Sequence, residues 1–182
     1  DASGPEPIVV LGGFLSTPGL YRGLVRTLAD ESGAPVSVVG VGFGSWLRAV
    51  SATGWSRLLR ELDRTVRRAA SSSPTGRVTL VGHSAGGVVS RLYLSPEPFR
   101  GESFGGLDRV SRLVSLGSPH AGIAASPMRR FVSERYPGAF FAPRVAYLSV
   151  AGRAVHGDRA GSAAERIAAR AYARLVGDAG AW

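Results

Sequence analysis

Apolar positions in this chain come as short uninterrupted runs separated by longer stretches of helical periodicity. Ile8-Val9-Val10-Leu11, bounded by Pro7 and Gly12-Gly13, reads as a buried strand that ends in a glycine turn. Thr17-Pro18 then opens a helix in which Leu20, Leu24 and Leu28 recur on one face, stopped near Gly33. Val36 to Val41 predicts a second strand, and Gly42-Phe43-Gly44-Ser45-Trp46 a loop after it. From about Thr53 to Ala70, Leu58, Leu59, Leu62 and Val66 line one side of a helix whose other side carries Arg60, Asp63, Arg64 and Arg67. Ser71 to Gly76 is a polar break.

The second half continues the alternation. Val78 to Val81 predicts a third strand, Ala85 to Leu94 a helix closed by Ser95-Pro96, and Val110 to Leu116 a fourth strand. Val145 to Val150 predicts a fifth strand, and Ala163 to Val176 a last helix. Between the final two strands, Ala121 to Pro143 reads as irregular and aromatic, with Phe131, Tyr136, Phe140 and Phe141. Apolar strands alternating with helices predict an α/β fold: a mostly parallel sheet with helices on both faces. No repeat or linker interrupts the pattern, so residues 1–182 read as one domain. Within it, 121–143 is either a lid or cap segment or aromatic core packing under a long loop.

Composition narrows the chemistry. All 22 basic residues are arginine, and the formal net charge is +9. The arginines are scattered rather than gathered into a stripe with interleaved aromatics, which argues against a nucleic-acid partner and leaves only weak attraction to anionic surfaces. Without lysine there is no P-loop, and Gly40-Val41-Gly42-Phe43-Gly44 lacks the spacing of a dinucleotide loop. Cysteine is absent, and the three histidines lie far apart, so thiolate catalysis and a histidine-rich metal site are not expected. No apolar run is long enough for a transmembrane helix. The first residue is Asp1 rather than Met, in keeping with a trimmed or processed N-terminus from which any targeting peptide would already have gone; compartment is not readable.

The sharpest signal is "LVGHSAGGVV", Leu80 to Val89. A serine hydroxyl becomes nucleophilic only when a base takes its proton and donors stabilise the oxyanion. Gly82-His83-Ser84-Ala85-Gly86, between a strand and a helix, is the pattern of a nucleophile elbow, with Ser84 lifted above the sheet at a helix N-terminus. The Ala85 N–H is one expected oxyanion donor. The Phe14 N–H, in the glycine turn after the first strand, is the expected second.

Several segments together resemble an α/β-hydrolase of the lipase/esterase kind. They are "VVLGGFLSTPGLYRGL", "GHSAGGVVSRLYL", "GLDRVSRLVSLGSPHAG", "RRFVSERYPGAFF" and "VAYLSVAGRAV". They are similar in particular to the lipase-like family of cyanobacteria and plant plastids that is distantly related to the inositol deacylases of GPI-anchor remodelling. That family usually has Pro-Gly-Phe where this chain has Gly12-Gly13-Phe14. The resemblance implies the α/β-hydrolase fold, Ser84 as nucleophile, an oxyanion hole at Phe14 and Ala85, an acyl ester or lipid substrate, and no cofactor.

The remaining partners are less well placed. In this fold the order is serine, acid, histidine. His83 adjoins Ser84 and should point away from it, and His120 in Ser118-Pro119-His120 reads as a hydrogen-bonded structural histidine. His156 follows the fifth strand but precedes its neighbouring acid, Asp158, so these two are the weak candidates for base and acid. By resemblance, "YARLVGDAGAW" precedes the segment that carries the acid, a last strand and the histidine. The expectation is therefore an α/β-hydrolase sheet lacking its last strand. The missing acid and histidine would lie past Trp182, in a separate or proteolytically separated polypeptide acting as a second chain, or be absent. The reading is a serine-dependent carboxylic ester hydrolase. A non-catalytic scaffold or inactive fragment used for binding is the first alternative, and an acyltransferase or thioesterase with the same elbow is the next.

Overall fold

Five strands lie side by side, all parallel, in the spatial order β2-β1-β3-β4-β5. This computed structural model describes residues 4–49, 51–120, 127–152 and 158–176. The strands are β1 (Ile8–Leu11), β2 (Val36–Val38), β3 (Val78–His83), β4 (Val110–Leu116) and β5 (Ala146–Val150). The helices are α1 (Arg22–Ser32), α2 (Phe43–Arg48), α3 (Ala52–Ser71), α4 (Ala85–Tyr93), α5 (Gly106–Arg109), α6 (Pro127–Arg135) and α7 (Ala163–Val176).

Side-chain alternation along the strands builds two cores. Val9 and Leu11 of β1, Val78 and Leu80 of β3, and Leu113 of β4 bury on one face, under Leu58, Leu59, Leu62 and Val66 of α3 and Val88, Val89 and Leu92 of α4. Ile8, Val10 and Val81 bury on the other face, where Leu24, Val25 and Leu28 of α1 cover them. On its outer side α3 is wet and ion-paired, with Arg67 to Asp63 at 2.5 Å and Arg64 to Glu61 at 2.7 Å.

Three elements differ from the sequence expectation. β2 stops at Val38, because Val39 and Val41 turn into the α3-side core instead of extending the ladder. The expected loop after it is the short helix α2, anchored by the buried indole of Trp46. The expected irregular stretch contains α6, whose Val132 is buried and whose next turn delivers Tyr136 into an aromatic cluster with Phe131, Phe140 and Phe141. Residues 121–126 of the expected lid lie outside the described residues.

β5 is the outermost strand among the described residues, and its far side carries no partner there. Leu148 is 53% and Val150 47% exposed, so this edge of the sheet is apolar and open.

Candidate active site

The elbow is built from backbone fitted against backbone. β3 ends at His83, and α4 begins at Ala85, so Ser84 alone makes the turn. Its φ is 52° and ψ −124°, a conformation that L-residues adopt only under constraint. Glycines supply the constraint. A Cβ on Gly82 would stand 2.5 Å from the Gly87 Cα, and one on Gly86 would stand 2.5 Å from the Gly12 carbonyl oxygen. Strand, elbow and helix therefore interlock at a spacing that no other residue permits. The Ser84 N–H donates to the Leu116 carbonyl at 2.9 Å, tying the turn to the end of β4.

The turn after β1 lies against this elbow. A Cβ on Gly13 would be 2.9 Å from the Ser84 Cβ and 3.1 Å from the His83 Nδ1. Phe14, next along, is 49% exposed and packs edge-on against Trp46 with ring centroids 6.1 Å apart. Among the described residues the N–H groups of Phe14 and Ala85 donate to no protein oxygen. The two expected oxyanion donors and Ser84 are thus brought to one place, where the α4 N-terminus adds its positive dipole end.

Neither of the two described histidines, His83 and His120, is brought to the serine hydroxyl, which has no hydrogen-bond partner among the described residues. His83 points its Nδ1 to the Tyr21 hydroxyl, 2.8 Å away. His120, on the chain after β4, accepts from the Arg91 guanidinium with Nη1 to Nδ1 at 3.2 Å, in line with its structural reading. Burial, with the Arg91 charge second, pushes the His120 imidazole down to about 4. Asp158 lies on the exposed segment after β5, where its Oδ1 accepts from the Ala160 N–H at 2.8 Å. His156 lies outside the described residues.

A family model described as palmitoyl protein thioesterase matches residues 7–162, which include the whole sheet and the elbow. The chain belongs to that family. Among solved structures it is similar to an α/β-superfamily protein from Xanthomonas campestris pv. campestris, at 19% identity and a TM-score of 0.54. That alignment covers 94% of this chain and 83% of the other. It is also similar to a phosphonate-inhibited esterase B from Lactobacillus rhamnosis, at 17% identity and a TM-score of 0.55, over 83% of this chain and 65% of that one. This chain thus spans just under two thirds of the esterase. No curated protein matched the sequence. The fold is that of the α/β-hydrolases, and the family match supports a hydrolase in general terms.

Two features of this thioesterase-family chain were not visible in its sequence. Phe43 and Leu47, one turn apart on α2, are 53% and 49% exposed on either side of the buried Trp46, against which Phe14 packs, so α2 and the Phe14 loop present an apolar rim. A cleft of about 920 Å³ lies between β4, β5 and α6, lined by Arg91, Ser115, His120, Ser133 and Tyr147 among others. The lining does not include Ser84. Arg91, seven residues down α4, is buried there and donates to the carbonyls of Tyr136 and Gly138. We read it as a strut holding the segment after α6 against α4. No periodicity or spacing in the sequence could have marked either feature, because both depend on which loops the sheet brings together.

Proposed function

We propose that the protein hydrolyses carboxylic acyl esters through an acyl-enzyme on Ser84. The observation that carries this is the juxtaposition of the strained Ser84 with two backbone N–H groups that have no protein acceptor among the described residues. Ser84 Oγ attacks the acyl carbonyl while a base takes its proton. The carbonyl oxygen, now an oxyanion, accepts from the Phe14 and Ala85 N–H groups, in the way that stabilises acyl transfer most. Collapse expels the alcohol, which takes up the proton, and water then releases the acid by the same steps in reverse order.

The base and its carboxylate partner lie outside the described residues in this reading. His83 is held by Tyr21 and His120 by Arg91, while Asp158 closes its own turn. The pair belongs to polypeptide following the described sheet, in this chain or in a second one, and His156 is the weaker candidate. The apolar rim of Phe14, Phe43 and Leu47 suits an acyl chain.

A thioester substrate is the second reading, favoured by the match to the palmitoyl protein thioesterase family. The attack is the same, and the leaving thiolate needs less help from a general acid. The test is fluorophosphonate labelling of the full-length protein, with hydrolysis of matched p-nitrophenyl esters and acyl thioesters. Labelling at Ser84, lost together with hydrolysis in Ser84→Ala, is expected. Hydrolysis that survives Ser84→Ala would overturn the proposal.

A further inference from the structure

Apart from the edge contact of Phe14 with Trp46, the loop that carries Phe14 has little packing of its own. Phe14 and Leu15 are both exposed, and Leu15 sits at φ 60°. Within the loop, Ser16 bonds the Gly13 carbonyl through its N–H at 3.1 Å and its hydroxyl at 2.6 Å, which closes the turn without fixing it to the sheet. One side chain makes that connection. The buried Tyr21 hydroxyl accepts from the Gly13 N–H at 2.7 Å and meets the His83 Nδ1 at 2.8 Å. Its ring stands edge-on to the imidazole, with centroids 5.7 Å apart.

Gly13 precedes Phe14, and His83 precedes Ser84. The bridge therefore joins the residue before one oxyanion donor to the residue before the nucleophile. In the tautomer protonated on Nε2, the hydroxyl donates to Nδ1 while accepting from Gly13, so both of its roles are used. Gly13 has no side chain that could replace the contact, and a Cβ there would press on Ser84 itself.

We propose that Tyr21 and His83 form a positioning clamp that holds the Phe14 N–H at hydrogen-bond distance from the oxyanion formed on Ser84. This rests on Ser84 being the nucleophile and gives His83 a role other than that of base. Neither residue touches substrate. Their effect falls on the transition state, where a donor displaced by about 1 Å costs on the order of 100-fold in rate.

The test compares full-length wild-type protein with Tyr21→Phe, which removes only the hydroxyl. The expected result is a kcat lower by about 10–100-fold with KM within about threefold. A thionoester substrate gives the decisive readout, because its larger, weakly accepting sulfur gains little from a well-placed donor. The clamp predicts that the rate preference for the oxoester over the matched thionoester shrinks by about tenfold in Tyr21→Phe. A purely structural role for Tyr21 would lower both rates together and leave that ratio unchanged, which would overturn the clamp. His83→Phe, at an exposed position, provides a second variant should Tyr21→Phe fold poorly; it should shift the ratio in the same direction, and an unchanged ratio there also counts against the clamp. His83→Gln, which restores an acceptor, should recover part of the preference. Activity remaining in Ser84→Ala overturns the nucleophile and the clamp with it. Loss in Ser84→Ala alongside full activity in Tyr21→Phe overturns the clamp alone.

Discussion

Arg91 and His120 are two basic side chains in hydrogen-bond contact, the guanidinium Nη1 standing 3.2 Å from the imidazole Nδ1. The contact requires a neutral imidazole, and His120 is accordingly held at about 4, below its ordinary 6.5. The unfolded chain then takes up a proton that the folded one refuses. The stabilisation is complete above pH 6.5 and drains away as the pH falls toward 4. For a half-buried group this is about 1–2 kcal/mol. Urea unfolding at stepped pH should show that loss in the wild type and a flatter profile in His120→Gln. Equal slopes would contradict it.

Ser84 holds a backbone conformation that glycine adopts freely. Ser84→Gly should therefore raise stability by about 1 kcal/mol while abolishing turnover. Ser84→Ala should also be inactive but gain nothing, since its Cβ remains. Thermal denaturation of the two variants separates them.

Glycines in two settings should respond in opposite ways. Gly23, in α1, has open space where a Cβ would go, so Gly23→Ala should stabilise by about 0.5–1 kcal/mol. A Cβ on Gly86 would meet the backbone carbonyls of Leu11 and Gly12. Gly86→Ala should cost more than about 3 kcal/mol and leave little soluble protein. Chemical denaturation of the pair, expressed side by side, checks both signs.

The rim of α2 should matter for long acyl chains only. Phe43→Ser with Leu47→Ser should lower kcat/KM for long-chain p-nitrophenyl esters by about 10-fold or more, near 1–2 kcal/mol of lost apolar contact. Acetyl ester hydrolysis should stay within about twofold. A uniform fall across chain lengths would remove the rim from substrate binding.

The parts of the fold that the sequence revealed are those whose cause is local. β1 and β4 occupy the expected residues: β1 is an apolar run cut by proline and glycine, and β4 carries Val110, Leu113, Val114 and Leu116 up to the closing Gly117. α3 follows its amphipathic period to within a residue at each end. α2 was hidden because Gly42 and Gly44 look like loop; the helix exists because Trp46 has a core to enter. In α6 the spacing of Met128, Phe131 and Val132 is helical, but the aromatic residues after it masked the period. The site divides in the same way. The elbow is legible because its glycines act on immediate neighbours. Tyr21 was not, because its partner His83 is 62 residues away in sequence.

The glycine interlock has a consequence for how this protein can change over evolutionary time. Since Ser84 is aimed by main chain meeting main chain, its location owes nothing to any particular core side chain. Leucines and valines beneath it can be exchanged for others of like volume, one at a time, without re-aiming the hydroxyl. Selection can thus act on the surrounding loops and rims while the Ser84 hydroxyl stays where it is. Drift is confined to everything except a few residues without side chains.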